Sequence, residues 1–205
     1  MQKYYSVSLL NDLQYRVRRM IEEATVLKNE DPGCLLEISA PGKWSVAQVL
    51  EHLNSYSYYY LPAITHAMKK NKTAKVYFKP GWLGNYFTRL MEAGTDGQVK
   101  NKMKAPKAHR PGLQPDWLPV VNTFLAQQQQ LLELLEQAKV KDIGSIRIPV
   151  SISRFIQLKL GDTFRFLVAH EERHFIQLRK ALQAVKAAGG CIAQPERQTK
   201  NSVLA

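Results

Sequence analysis

Apolar residues recur every three or four positions in four stretches of this chain, the spacing that places them along one face of a helix. Over residues 5–28 the set is Leu10, Leu13, Val17, Met20, Ile21, Ala24 and Leu27, and the breaker Asp31-Pro32-Gly33 then ends the first helix. The second helix declares its own start. Ser45 stands three residues before Gln48, the spacing of a capping box in which each side chain satisfies a backbone N–H near the other. Trp44 and Val49 flank that cap as a hydrophobic staple, and Val49, Leu53, Tyr56, Tyr60, Ile64 and Met68 continue one stripe to about Lys70.

The third helix is expected from Asp116, with Pro119 tolerated in its first turn, where a missing N–H breaks no helical bond. Its stripe is Val121, Phe124, Leu125, Leu131, Leu132, Leu135 and Ala138, and Gly144 follows it. The fourth is expected near Asp162, an N-cap type after Gly161, with Phe166, Leu167, Leu178, Ala181, Leu182 and Val185 as its stripe. Gly189-Gly190 supplies the stop.

Four long amphipathic helices imply an all-α fold, a four-helix bundle over residues 1–190, with 191–205 as a flexible C-terminal tail. The connection between helices 2 and 3 runs to about 44 residues, far beyond the 2–8 of an antiparallel hairpin, so one long crossover can return the chain along the bundle. Within it Leu83, Tyr86, Phe87, Leu90 and Met91 have the spacing of a short extra helix. Ile146, Ile148, Val150 and Ile152 alternate as a strand does, and Pro149 demotes that run to an edge strand or extended linker.

Composition changes this picture at one place. The 205 residues carry a net charge of +12, and residues 69–110 hold nine lysines and two arginines against Glu92 and Asp96 alone, a local +9. Such an excess suits phosphate or anionic lipid, and equally a solvated connection kept soluble by lysine. No run reaches the ~18 apolar residues of a membrane span, and no secretory signal is expected at the N-terminus. Cys34 and Cys191 lie far apart with no CxxC spacing, so neither a disulfide scaffold nor a zinc knuckle is expected, and a reducing cytoplasm is the expected setting.

The candidate chemistry lies in the histidines. Of five, His170 and His174 stand at i and i+4 on the inward stripe of helix 4, and His52 stands between Val49 and Tyr56 on that of helix 2. Three buried imidazoles brought together without a cation are costly. A divalent metal resolves this, because each neutral ring gives a lone pair, and three protein ligands leave an open position for water or substrate. His66 falls off the stripe, and His109 lies in the basic connection as an expected surface residue. Gln177, one turn beyond His174, is placed to bond a group behind the ligands.

Gly42-Lys43-Trp44-Ser45-Val46-Ala47-Gln48-Val49-Leu50-Glu51-His52-Leu53, and later His170-Glu171-Glu172-Arg173-His174-Phe175-Ile176-Gln177, together resemble the DinB-like family of metalloproteins. In that family a tryptophan–serine cap opens the second helix ahead of the first metal ligand, and an HxxxH on the last helix gives the other two. The resemblance implies an up-down-down-up bundle and a nickel, zinc or iron ion on His52, His170 and His174. It also implies homodimers, and kinship with thiol-dependent transferases that use a low-molecular-weight thiol on a small-molecule substrate, or with metal-dependent hydrolases. The metal-bound water or thiol is then the reacting group.

Two other readings compete. His170-Glu171-Glu172-Arg173-His174 also spells HExxH, in which Glu171 would be the general base of a zinc protease and Glu196 a third ligand; that reading leaves His52 without a role. The basic segment, with Tyr77, Phe78, Trp82, Tyr86 and Phe87 interleaved, could instead hold nucleic acid or an anionic surface. The helical spacing of Trp82–Met91 argues that those aromatics pack on the bundle or on a partner subunit, which counts against nucleic acid.

Overall fold

The computed structural model describes residues 3–69, 73–93 and 103–189. The architecture is mainly helical, with two small two-stranded sheets. In chain order it runs β1 (Tyr4–Tyr5), α1 (Ser6–Leu27), α2 (Pro32–Leu36), α3 (Val46–Met68), β2 (Tyr77–Phe78) and α4 (Trp82–Met91). After these come a 3-10 turn (Lys107–His109), α5 (Trp117–Ala138), β3 (Arg147–Val150), β4 (Ser153–Lys159) and α6 (Leu160–Ala187).

The four long helices share one core. α1 packs on α5 and α6, and α3 packs on the same two. Fully buried side chains such as Leu13, Leu53, Phe124 and Phe175 fill the middle, each worth about 1.5–3 kcal/mol of transfer from water. Cross-helix pairs give the directions. Arg16 bonds Glu172, Arg179 bonds Glu23 and Lys186 bonds Glu30, so both partners advance together and α1 runs parallel to α6. Asn54 Nδ2 donates to the Val120 carbonyl and Gln48 Nε2 to that of Leu113, so α3 and its entry into α5 also advance together. Across the core the order inverts: Tyr56 meets His170 and Tyr60 meets Phe166, so α3 runs against α6.

The local rules are visible at the termini. The Ser45–Gln48 capping box forms, the Gln48 N–H donating to Ser45 Oγ at 3.2 Å and the Ser45 N–H to Gln48 Oε1 at 3.0 Å. α3 continues through Pro62, which is exposed. Asp31 both follows α1 and starts α2: its Oδ1 accepts the Gly33 N–H at 2.6 Å, with Pro32 in the first turn. Gly189, at φ +70°, follows the last helix in the left-handed conformation that glycine adopts without strain; Gly190 and the expected tail at 191–205 lie outside the described residues.

Two expectations change, and a third gains detail. Asp162 is not the N-cap of α6. Strand β4 runs straight into the helix, so its N-cap is Lys159, without a side-chain cap bond, and Asp162 falls in the first turn. There its Oδ2 accepts the N–H of Gly81, the N-cap of α4, at 2.8 Å, so the carboxylate joins two helices. The alternating run at 146–152, expected as an edge strand or extended linker, does hold an edge strand, β3, in a two-stranded antiparallel hairpin with β4 that is irregular between Pro149 and Val150. β4 exposes Arg154, Phe155, Ile156 and Gln157 and buries Leu158 alone, so it carries little alternation to read. Finally, Cys34 on α2 is 1% exposed and disulfide-bonded, contrary to the expectation of no disulfide; the chain's other cysteine, Cys191, lies outside the described residues.

The crossover contains its extra helix. α4 packs on α6, turning Thr88 and Met91 inward and half-burying Phe87. Trp82 (75% exposed) and Tyr86 (56%) face out, so the helical spacing sorts these aromatics onto both sides. Phe78 is fully buried, and the described lysines at 69, 75, 79, 104 and 107, with Arg89 and Arg110, are exposed. Among the described residues no helix is long and apolar enough to cross a membrane.

Candidate metal centre

Each histidine of the candidate triad arrives by helical periodicity. His52 lies one turn after Gln48, in the part of α3 whose phase the capping box fixes, and is 2% exposed. His170 and His174 lie on successive turns of α6; the first is buried and the second half-buried. Because α3 and α6 cross antiparallel, the three rings converge. Ring centroids are 5.3 Å apart for His52 and His170, and 4.6 Å for both His52–His174 and His170–His174. One ligand atom from each lies within 4.8 Å of the others, a group that could hold a metal ion.

Aromatic rings wall the cluster. Trp44 lies 5.0 Å from the His52 ring and stacks at 6.3 Å on His174. Tyr56 lies 4.4 Å from His170, and Phe166 stacks on His170 at 5.7 Å. The tryptophan expected to staple the start of α3 is therefore also a wall of the site. Tyr56 is itself pushed up to about 12 by burial and the neighbouring Tyr60, so its phenol stays protonated at neutral pH.

The electrostatics favour neutral, lone-pair-bearing rings. Burial lowers His52 to about 4, against the bond to the His109 carbonyl that raises it. Burial, with the neighbouring His52, lowers His174 to about 3. Burial, with His174 and His52 beside it, drives His170 well below the ordinary imidazole range. Neutral imidazole is the form that binds a metal. The residues also fit one by hydrogen-bond accounting. His170 Nδ1 is buried without a hydrogen-bond partner, a ring nitrogen that no protein group satisfies.

A sequence model of the DinB superfamily matches residues 7–178, a span that contains all three histidines. The chain belongs to the DinB superfamily. Comparison with curated proteins gives no match, and comparison with solved structures gives none either.

Within this DinB-superfamily chain, further residues surround the triad. Gln177 Oε1 lies 3.1 Å from His174 Nδ1 and accepts its proton. His109, expected on the surface, is 6% exposed: the 3-10 turn carries it onto α3, where its ring stacks on Tyr56 at 3.9 Å. Its carbonyl accepts from His52 Nδ1 at 2.5 Å. No periodicity marks a residue in a long connection, so sequence carried no signal for it. His66 is exposed, as its phase on the helix indicates.

Glu171 does not join the histidines. One position along α6 turns it toward α5, where its Oε1 accepts from Gln128 Nε2 at 2.9 Å. Complete burial pushes its carboxyl up to about 8, only partly offset by that bond. The other acid of the protease reading, Glu196, lies outside the described residues.

Proposed function

We propose that this DinB-superfamily protein holds one divalent ion on His52, His170 and His174 and acts as a metal-dependent thiol transferase or hydrolase on a small molecule. The observation that carries the reading is the convergence of three inward histidines from two helices, their ligand atoms within 4.8 Å. Family membership supports it, and so do the helix directions, which fit an up-down-down-up bundle with one long crossover.

An ion held by the three histidines would leave a position open and would supply the Lewis acidity that lowers the pKa of a thiol or water toward neutrality. The chain's own residues prepare that position. The His109 carbonyl requires the His52 proton on Nδ1, which leaves Nε2 as its lone-pair donor. Gln177 does the same for His174. Trp44, Tyr56 and Phe166 pack against the histidine rings, and apolar surroundings strengthen every charge interaction within them. An all-imidazole set suits zinc, nickel or iron comparably.

The test is a screen of low-molecular-weight thiols against electrophilic small molecules, run on metal-loaded and chelator-stripped protein. Turnover of thiol conjugation or of ester or amide hydrolysis only in the loaded form supports the reading. Equal rates in both forms contradict it.

A further inference from the structure

The far end of the crossover is laced to one face of α3. Gln48 Nε2 donates to the carbonyls of Gly112 (2.9 Å) and Leu113 (3.3 Å), and the Gly112 N–H donates to Glu51 Oε2 at 2.7 Å. His52 Nδ1 donates to the His109 carbonyl. Ser55 Oγ donates its only proton to the His52 carbonyl at 2.7 Å, so toward His109 Nδ1, at 3.0 Å, it can only accept. The circuit closes on itself. The His52 ring bonds the backbone of His109, and the His109 ring, through Ser55, bonds the backbone of His52.

We propose that His109 is a positioning residue for the metal centre: its side chain, held by Ser55 and by the stack on Tyr56, fixes the carbonyl that sets the tautomer and ring angle of His52. The inference rests on the metal reading above and deepens it. Position 109 is far from both metal motifs in sequence, and the crossover that carries it becomes part of the site through this one carbonyl. A metal ligand whose second nitrogen meets a backbone carbonyl is oriented before the ion arrives, and losing such a partner typically costs 10–100-fold in affinity. Binding and loop order are then coupled, since an ion that needs His52 in this tautomer favours the docked form of residues 103–113.

Ser55→Ala removes the acceptor, and His109→Phe keeps the ring on Tyr56 but loses the hydrogen bond. Zinc dissociation constants are measured by chelator competition for wild type, both variants and the double variant. Thermal unfolding of the metal-free proteins and hydrogen exchange of residues 103–113 with and without zinc are measured beside them. The expected result is zinc affinity about 10-fold weaker in each single variant and no weaker again in the double, with unchanged metal-free unfolding. Zinc should slow exchange at 103–113 in wild type more than in the variants. Variants that bind zinc as tightly as a zinc-binding wild type overturn the role of His109 alone. Wild-type protein that binds no zinc, nickel or iron overturns the metal reading itself, and this inference with it.

Discussion

His174 Nδ1 and Gln177 Oε1 lie 3.1 Å apart on one turn of α6, so the amide oxygen takes the proton of one ring nitrogen and leaves the other as a lone-pair donor. An apolar replacement removes this orientation while leaving the packing of α6 in place. Gln177→Leu is expected to weaken metal binding about 10-fold. Its effect on metal-free stability should stay within about 0.5 kcal/mol. Chelator competition and urea unfolding read the two separately, and an unchanged dissociation constant contradicts the orienting role.

Gly84 on α4 sits directly against Asp162 of α6. A Cβ built on Gly84 would lie 2.3 Å from Asp162 Cγ, which is itself held by the Gly81 N–H. The carboxylate cannot withdraw without leaving that N–H unpaired. Gly84→Ala is therefore expected to destabilise the fold by about 1–3 kcal/mol, the usual range for overpacking. A urea midpoint equal to that of wild type contradicts the close approach.

Asp142 gives the pH dependence. Burial raises this carboxyl, but the Lys75 ammonium at 3.0 Å and the N–H groups of Gly144 and Ser145 outweigh it and hold it below its ordinary value. A depressed carboxylate contributes stability above its unfolded pKa of about 3.9, and that stability is lost as pH falls through the lower folded value. Lys75→Met should therefore lower stability near pH 7, by a small amount because the lysine is 72% exposed, and the difference from wild type should vanish as pH falls below the carboxyl range. Urea unfolding near pH 7 and near pH 3 checks this, and a difference that grows toward acid contradicts it.

Glu171 separates the metal-centre reading from the protease one. Its carboxyl is buried against Gln128 on α5, and Glu171→Gln preserves shape while removing only the acid. Metal content and thiol- or water-dependent turnover are expected at wild-type levels. Loss of turnover with the ion retained would favour a general base at Glu171.

Much of this arrangement was legible because helices repeat. The capping box at Ser45–Gln48 sets the start of α3, and that fixes the phase of His52 four residues beyond Gln48. His170 and His174 are one turn apart on a stripe running from Phe166 to Leu178, so their shared face needs no tertiary knowledge. Where tertiary contact overrides local preference, the reading fails. Asp162 looks like a cap, but β4 delivers the chain into α6 already helical and frees the carboxylate to bind Gly81. His109 reaches the site through a long connection with no period, brought there by the paired chemistry of Gln48, Glu51, His52 and Ser55 and by the stack on Tyr56.

The basic crossover looks different once placed on the fold. Its lysines that fall among the described residues are exposed, while Phe78, Thr88 and Met91 reach the interior and His109 reaches the site. The described basic side chains of the crossover thus lie on the surface, and the buried chemistry is neutral imidazole.

The central claim is that His52 and the two histidines of α6 hold one ion together. The most direct measurement is elemental analysis of purified wild-type protein beside His52→Ala, each checked for a folded helical spectrum. The account predicts about one zinc, nickel or iron ion per wild-type chain and almost none in His52→Ala, since two imidazoles alone do not complete such a site. Equal metal content in the two proteins, or a wild-type chain that takes up none of the three metals when offered them, would contradict it.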